Sequence, residues 1–171
     1  MPGLEARMIA GRLLAERLLA ERLLAVLDEA LHGASGPVTY FVDNRPGMGL
    51  LGSLAGLDAA IATRAIGGTS IAAHVEHVAF AMEASAAWIA GDRTPRDWKA
   101  SWRMATIDDE TWPLLVERLG HEYRNLRAAI EQRATTGEDA FGEAVGAIAH
   151  VAYHLGSVRQ KLAVLREVST A

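Results

Sequence analysis

Four long stretches of helix-forming residues, each closed by Gly, Pro or a turn cluster, take up most of this chain and leave no room for a sheet. The first runs from about Leu4 to Leu31 and is rich in Leu, Ala, Glu and Arg, which lose little freedom in a helix. It stops at His32 and Gly33. Ser70 or Thr69 caps a second helix, about Ile71 to Ala90, which ends at Gly91. The third, about Asp109 to Arg133, carries Trp112, Leu115, Leu119, Leu126 and Ile130 at helical spacing, with a capped start between Thr106 and Glu110. TTGED separates it from the fourth, about Asp139 to Val168. Four amphipathic helices in 171 residues predict an all-α fold, a four-helix bundle in which residues 1-171 form one domain.

The connections are long after helices one and two. Residues 33 to 49, GASGPVTYFVDNRPGMG, have turn-forming density and one extended run at Val38 to Val42. LLGSLAGLDAAIAT predicts short helical turns that GGT breaks. TPRDWKASWRMATIDDETW, residues 94 to 112, forms the second connection, with a short helical stretch at Asp97 to Trp102. Loops of this length are often functional.

Helix one contains the tandem pentamer RLLAERLLAERLLA. A five-residue step turns about 140° per repeat, so the Leu pairs spread around the cylinder and need several neighbours. The repeat either packs within the fold or also forms a face for a homodimer.

Composition narrows the partners. A net charge of −4 with no basic patch argues against nucleic acid. No stretch is long and apolar enough to span a membrane, and the N-terminus lacks a signal-peptide core, so a cytoplasmic protein is expected. With no cysteine, any metal must be held by His, carboxylate and water.

The six histidines are unevenly placed. AHVAYHLGSVRQ sets His150 and His154 four residues apart, about 400° and about 6 Å along a helix, so both imidazoles share a face. Such a pair suits a borderline divalent metal. The apolar stripe of helix four, Phe141, Ala144, Ile148, Ala152, Leu155 and Leu162, lies more than about 80° away. Glu143 and Lys161 share the histidine lane, which therefore lines a cleft or meets solvent. In helix two the stripe is Ile71, Val75, Val78, Met82 and Ile89, with His74 about 60° and His77 about 120° from its centre. His77 is the better cleft residue. His74 is a fourth ligand, a donor behind the ligands, or a core-edge histidine on a carbonyl. His32 at a helix C-terminus and His121 on an outward face are structural or solvated.

SIAAHVEH and AHVAYHLGSVRQ together resemble the DinB/YfiT-like superfamily over most of the chain from about Leu50. The resemblance implies that His77, His150 and His154 are metal ligands at the mouth of the bundle. It also implies a divalent ion, Zn or Ni, and a hydrolase or thiol S-transferase acting on a small-molecule substrate with a low-molecular-weight thiol. His74, the 33 to 49 connection and DWKASW have no counterpart in that pattern.

Three neutral nitrogens leave a coordination position open, the layout of a catalytic site. Val151 stands where a zincin has its glutamate, so the base must come from elsewhere. Glu143 is the first candidate, followed by Tyr153, Asp43 and Glu83. Only His32 has Glu three residues before it, at Glu29, whereas a di-iron carboxylate site wants such a pair on each of two helices, which argues against one. Trp88, Trp98, Trp102 and Trp112 either roof a pocket or pack the end of the bundle. The alternative function is a non-catalytic homodimeric bundle with a structural or vestigial metal site.

Overall fold

The structure is a computed structural model and describes residues 3–102, 107–135 and 137–169. It is all-α. The elements in order are α1 (Leu4–His32), α2 (Leu50–Leu54), α3 (Ala59–Thr63), α4 (Ile71–Ile89), a 3₁₀ turn (Ala100–Trp102), α5 (Thr111–Arg133) and α6 (Glu138–Ser169). The four long helices pack in a ring: α4 lies against α5 and α6, and α1 lies against the same two. The short α2 touches α1, α5 and α6, and α3 rests on α4, so residues 33–70 cross from one corner of the ring to the opposite one. No described helix is long and apolar enough to cross a membrane.

Side-chain chemistry sets the helix ends. The Ser70 hydroxyl accepts from the Ala73 amide and starts α4; Gly91, at φ 102°, follows its end. For α5 the cap is Asp108, whose carboxylate accepts from the Thr111 amide and hydroxyl while the Thr111 hydroxyl accepts from the Asp108 amide. Thr106 lies outside the described residues.

Burial follows the expected stripe in α4, where Ile71, Val75, Val78, Met82 and Ile89 are all core, and in α5. In α6 it differs from expectation. Phe141 is partly exposed and Ala152 only half-buried, whereas Val151, Val158 and Leu165 are core. Apart from Ala147, the core residues of α6, Ala144, Ile148, Val151, Leu155, Val158, Leu162 and Leu165, advance in alternating steps of four and three. That 3.5-residue seam keeps facing α1 and α4 over six turns, and it rotates the core away from Phe141.

The run Val38 to Val42 is not a strand. The amides of Tyr40, Phe41 and Val42 all donate to the buried Glu29 carboxylate of α1, at 2.8–3.0 Å. A side chain thus supplies the acceptors that a neighbouring strand would have offered.

Tight backbone crossings anchor this loop to α1. A Cβ on Gly49 would lie 2.3 Å from the Gly33 nitrogen, and one on Gly52 would lie 2.4 Å from the Gly47 Cα. The opposing atoms are backbone and cannot swing aside. Gly49→Ala is therefore expected to cost about 1–3 kcal/mol, read as a lower urea midpoint at unchanged slope.

Candidate metal centre

The packing of α4 against α6 brings two pairs of histidines face to face. His74 and His77 lie in the first two turns of α4, and His150 and His154 lie one turn apart on α6. His77 Nε2 stands 3.1 Å from His150 Nε2, and His74 Nδ1 stands 2.8 Å from His154 Nδ1. Across the cluster the His77 and His154 rings are 5.0 Å apart, and His150 and His154 are 4.7 Å apart. His77, His150 and His154 each offer a ring nitrogen, all within 4.8 Å of one another. Tetrahedral zinc with Zn–N of about 2.0 Å wants nitrogens roughly 3.3 Å apart, so modest ring rotation suffices.

The proton inventory suits ligation. The Ser101 hydroxyl donates its single proton to the Trp98 carbonyl at 2.7 Å, so towards His77 Nδ1, also at 2.7 Å, it can only accept. His77 therefore carries its proton on Nδ1 and presents a lone pair on Nε2 to the other rings. A second chain runs behind His154. With a proton on its Nε2 donated to the Thr69 hydroxyl at 3.1 Å, His74 accepts from His154 Nδ1 and leaves His154 Nε2 bare. Thr69 is itself held by the turn Ile66–Thr69, whose two carbonyls accept from the buried Lys161 ammonium. Of the three roles open to His74, the carbonyl-bonded one is not what the structure shows: its ring bonds a hydroxyl and an imidazole.

Burial keeps these rings neutral. It is the largest cause for all four, and mutual repulsion among the imidazoles adds to it, lowering His77 to about 4 and His154 to about 3. His74 is lowered by burial and by Lys161. Burial also lowers His150, against an upward pull from the Glu143 carboxylate. Because the folded state protonates these rings later than the unfolded chain, metal-free protein should lose stability as pH falls below about 6.5 and continue losing it towards 4. The slope is up to about 1.4 kcal/mol per pH unit for each excess proton on the unfolded chain. Urea midpoints in chelator between pH 7 and 4 measure it, and His77→Ala should flatten it.

Aromatic residues wall the cluster. Trp102 stacks on His77 at 4.1 Å and 20° and meets His74 edge-on at 5.5 Å. Trp98 contacts His77 and Phe80. The other two tryptophans divide differently: Trp112 is buried in the core and donates to the Leu57 carbonyl, while Trp88 carries Arg93 over its face.

Glu143 lies in the same groove, two turns before His150, where it accepts from the buried Ser85 hydroxyl at 2.5 Å. It lines a pocket of about 300 Å³ together with Trp88, Arg93 and Trp98. Of the reserve candidates, Asp43 pairs with Arg45 and Glu83 with Arg118. Tyr153 is exposed and meets His154 ring edge to face. His32 packs on Tyr123, and His121 lies on the surface; neither reaches the cluster.

Ser101 is not legible as a site residue from sequence, since a serine inside KASW carries no motif. Lys161 is visible on the histidine lane, but its target, a turn about 90 residues upstream, is not. Comparison of the chain with protein-family models, curated proteins and solved structures gives no match.

Proposed function

We propose that His77, His150 and His154 hold one divalent ion, zinc or nickel, in a DinB/YfiT-like four-helix bundle that catalyses hydrolysis or thiol transfer on a small molecule. The observation that carries this is the convergence of three neutral imidazoles within 4.8 Å, two of them buried, with the tautomer of His77 set by Ser101.

Bound between three nitrogens, such an ion polarises a carbonyl or phosphoryl oxygen and lowers the pKa of water or of a thiol. The chain supplies the surroundings. Trp98 and Trp102 exclude water from one side and strengthen the local electrostatics. Glu143, beside the pocket and held by Ser85, is the group available to take a proton from an incoming nucleophile.

A second reading rests on His74. Its ring touches His154 at 2.8 Å, and rotation towards the ion would close the site with a fourth nitrogen, making it structural. Cobalt substitution separates the two. Elemental analysis of protein purified without chelator or affinity resin should find near one ion per chain. The visible spectrum of the cobalt form should then shift on addition of azide or a small thiol if a position is open, and stay unchanged if His74 closes it. Absence of metal, with no uptake of added zinc or nickel, would sink both.

The supporting bonds give a further expected result. Ser101→Ala frees His77 Nδ1 and should weaken zinc binding by about 10–100-fold, measured by competition with a chelating dye.

A further inference from the structure

The groove between α4 and α6 continues past the histidines towards the C-terminal end of α4. Ser85 faces Glu143 across it, eight residues beyond His77 on α4 and seven before His150 on α6. At about 1.5 Å per residue, Glu143 lies roughly 10 Å along the groove from the ring nitrogens. It is there one wall of the pocket of about 300 Å³, whose other walls include Trp88, Trp98, Asp92, Arg93 and Arg96. Trp98 belongs to both places, since the same ring contacts His77. Trp88 and Trp98 remain 39% and 46% exposed, an apolar area left open beside the candidate centre.

The charges of this pocket are sorted along it. At the loop end Asp92 is occupied: one carboxylate oxygen accepts from the Thr94 amide and hydroxyl at 2.8 and 2.6 Å, and the other accepts from Arg96 at 2.8 Å. Arg93 lies 4.0 Å over the Trp88 ring and donates one N–H to the Trp88 carbonyl; among the described residues no carboxylate forms an ion pair with it. Two guanidinium groups against one carboxylate leave this end with one positive charge in excess and with N–H donors beyond those already bonded. Glu143, held by Ser85, puts negative charge at the end nearer His150. An amine would be repelled where the aromatic rings stand, and a phosphate dianion would overcompensate a single excess charge. A flat ring bearing one carboxylate suits both the indoles and the guanidinium fork. We propose that the pocket holds the acid end of the substrate, an aromatic monocarboxylate whose reacting bond reaches the histidines roughly 10–15 Å from its acid group. This rests on the metal-dependent reading above and names its substrate class; binding of the acid end itself needs no metal.

Four tryptophans give four indole N–H resonances in a ¹⁵N-labelled chain, so nuclear magnetic resonance reads the site directly. In chelator, phenylacetate should shift the Trp88 and Trp98 signals, assigned by Trp88→Phe and Trp98→Phe, and leave that of core Trp112 in place. Half-saturation is expected at roughly millimolar concentration for a ligand of this size. Phenylacetamide and phenethylamine should bind about tenfold more weakly or worse, since neither pairs with a guanidinium. Arg93→Gln should bring phenylacetate down to the level of the amide and leave the amide unchanged. Asp92→Asn keeps the oxygen that Thr94 uses, removes the offsetting charge, and should tighten phenylacetate severalfold. With zinc loaded, a phenylacetate extended at its para position by an alkyl chain to a hydroxamate should bind about tenfold more tightly than in chelator, because both ends are then engaged. No shift at Trp88 and Trp98 up to tens of millimolar, a preference for the amine, or indifference to Arg93→Gln would overturn the proposal and leave the metal centre standing. So would a shift confined to Trp102, which would place the ligand on the histidine cluster. A chain that takes up no metal and still binds phenylacetate through Arg93 would keep the acid site and overturn only the reaction at the histidines.

Discussion

On the proposed metal site, the wild-type chain is expected to emerge from purification with one ion and His154→Ala without one. His154 is the hub of the cluster. It is only 3% exposed, its ring meets those of His77 and His150 within 5.0 Å, and it bonds His74 from behind. Removing it leaves two imidazoles facing each other across 3.1 Å, too few to hold zinc against water, and strips His74 of its Nδ1 partner. Affinity should fall by more than about a hundredfold, beyond what loss of a supporting bond costs. His74→Ala sharpens the comparison. If His74 only orients His154, that variant keeps its ion and binds it about 10–100-fold more weakly; equal loss in both would make His74 a ligand. Elemental analysis and zinc titration of the two variants side by side decide this.

The second large effect is expected far from the histidines. Glu29→Ala should destabilise the protein by about 3 kcal/mol or more, because three amides lose a charged acceptor and the Val42 amide is buried. For a chain of this length that corresponds to a fall in Tm of roughly 6–12 °C. Glu29→Gln should recover only part, since its amide NH₂ would face the Tyr40 amide, which now also donates to the second carboxylate oxygen. Burial pushes the Glu29 carboxyl up, but the bonds from Phe41, Tyr40 and Val42 together outweigh it and hold the group below its usual range. The linkage has a definite sign. A lowered folded-state pKa means the stabilisation is complete above the unfolded value of about 4.3 and is lost as pH falls through the folded value. Thermal melts between pH 6 and 3 should therefore converge for wild type and Glu29→Ala at the acid end.

Much of the fold is legible in the sequence because helices are local objects. Capping by Ser70, the stop at Gly91 and the spacing of Trp112 to Ile130 act over a few residues, and the structure keeps them. The histidine lane of α6 is legible for the same reason, being a matter of angle along one helix. What each lane faces is not. Phe141 satisfies the periodicity of α6 and still lies outside the core, because the seam follows a 3.5-residue period set by the neighbouring helices. Val38 to Val42 reads as an extended run; its amides find a carboxylate in another element, and no local pattern records such a partner.

The sequence by itself determined where helices begin and end, which residues lie on each face, and that histidines are the only nitrogen-rich lanes available to a metal. Tertiary structure alone decided that α4 meets α6, and so which four of six histidines converge. It also assigned Ser101 and Thr69 to hold the rings, and Lys161 to hold the turn that carries Thr69. The physical reason is range. Backbone propensity and capping act within one turn, whereas a ligand set is built by contacts between residues about 70–80 positions apart, which exist only after apolar burial has packed the helices together.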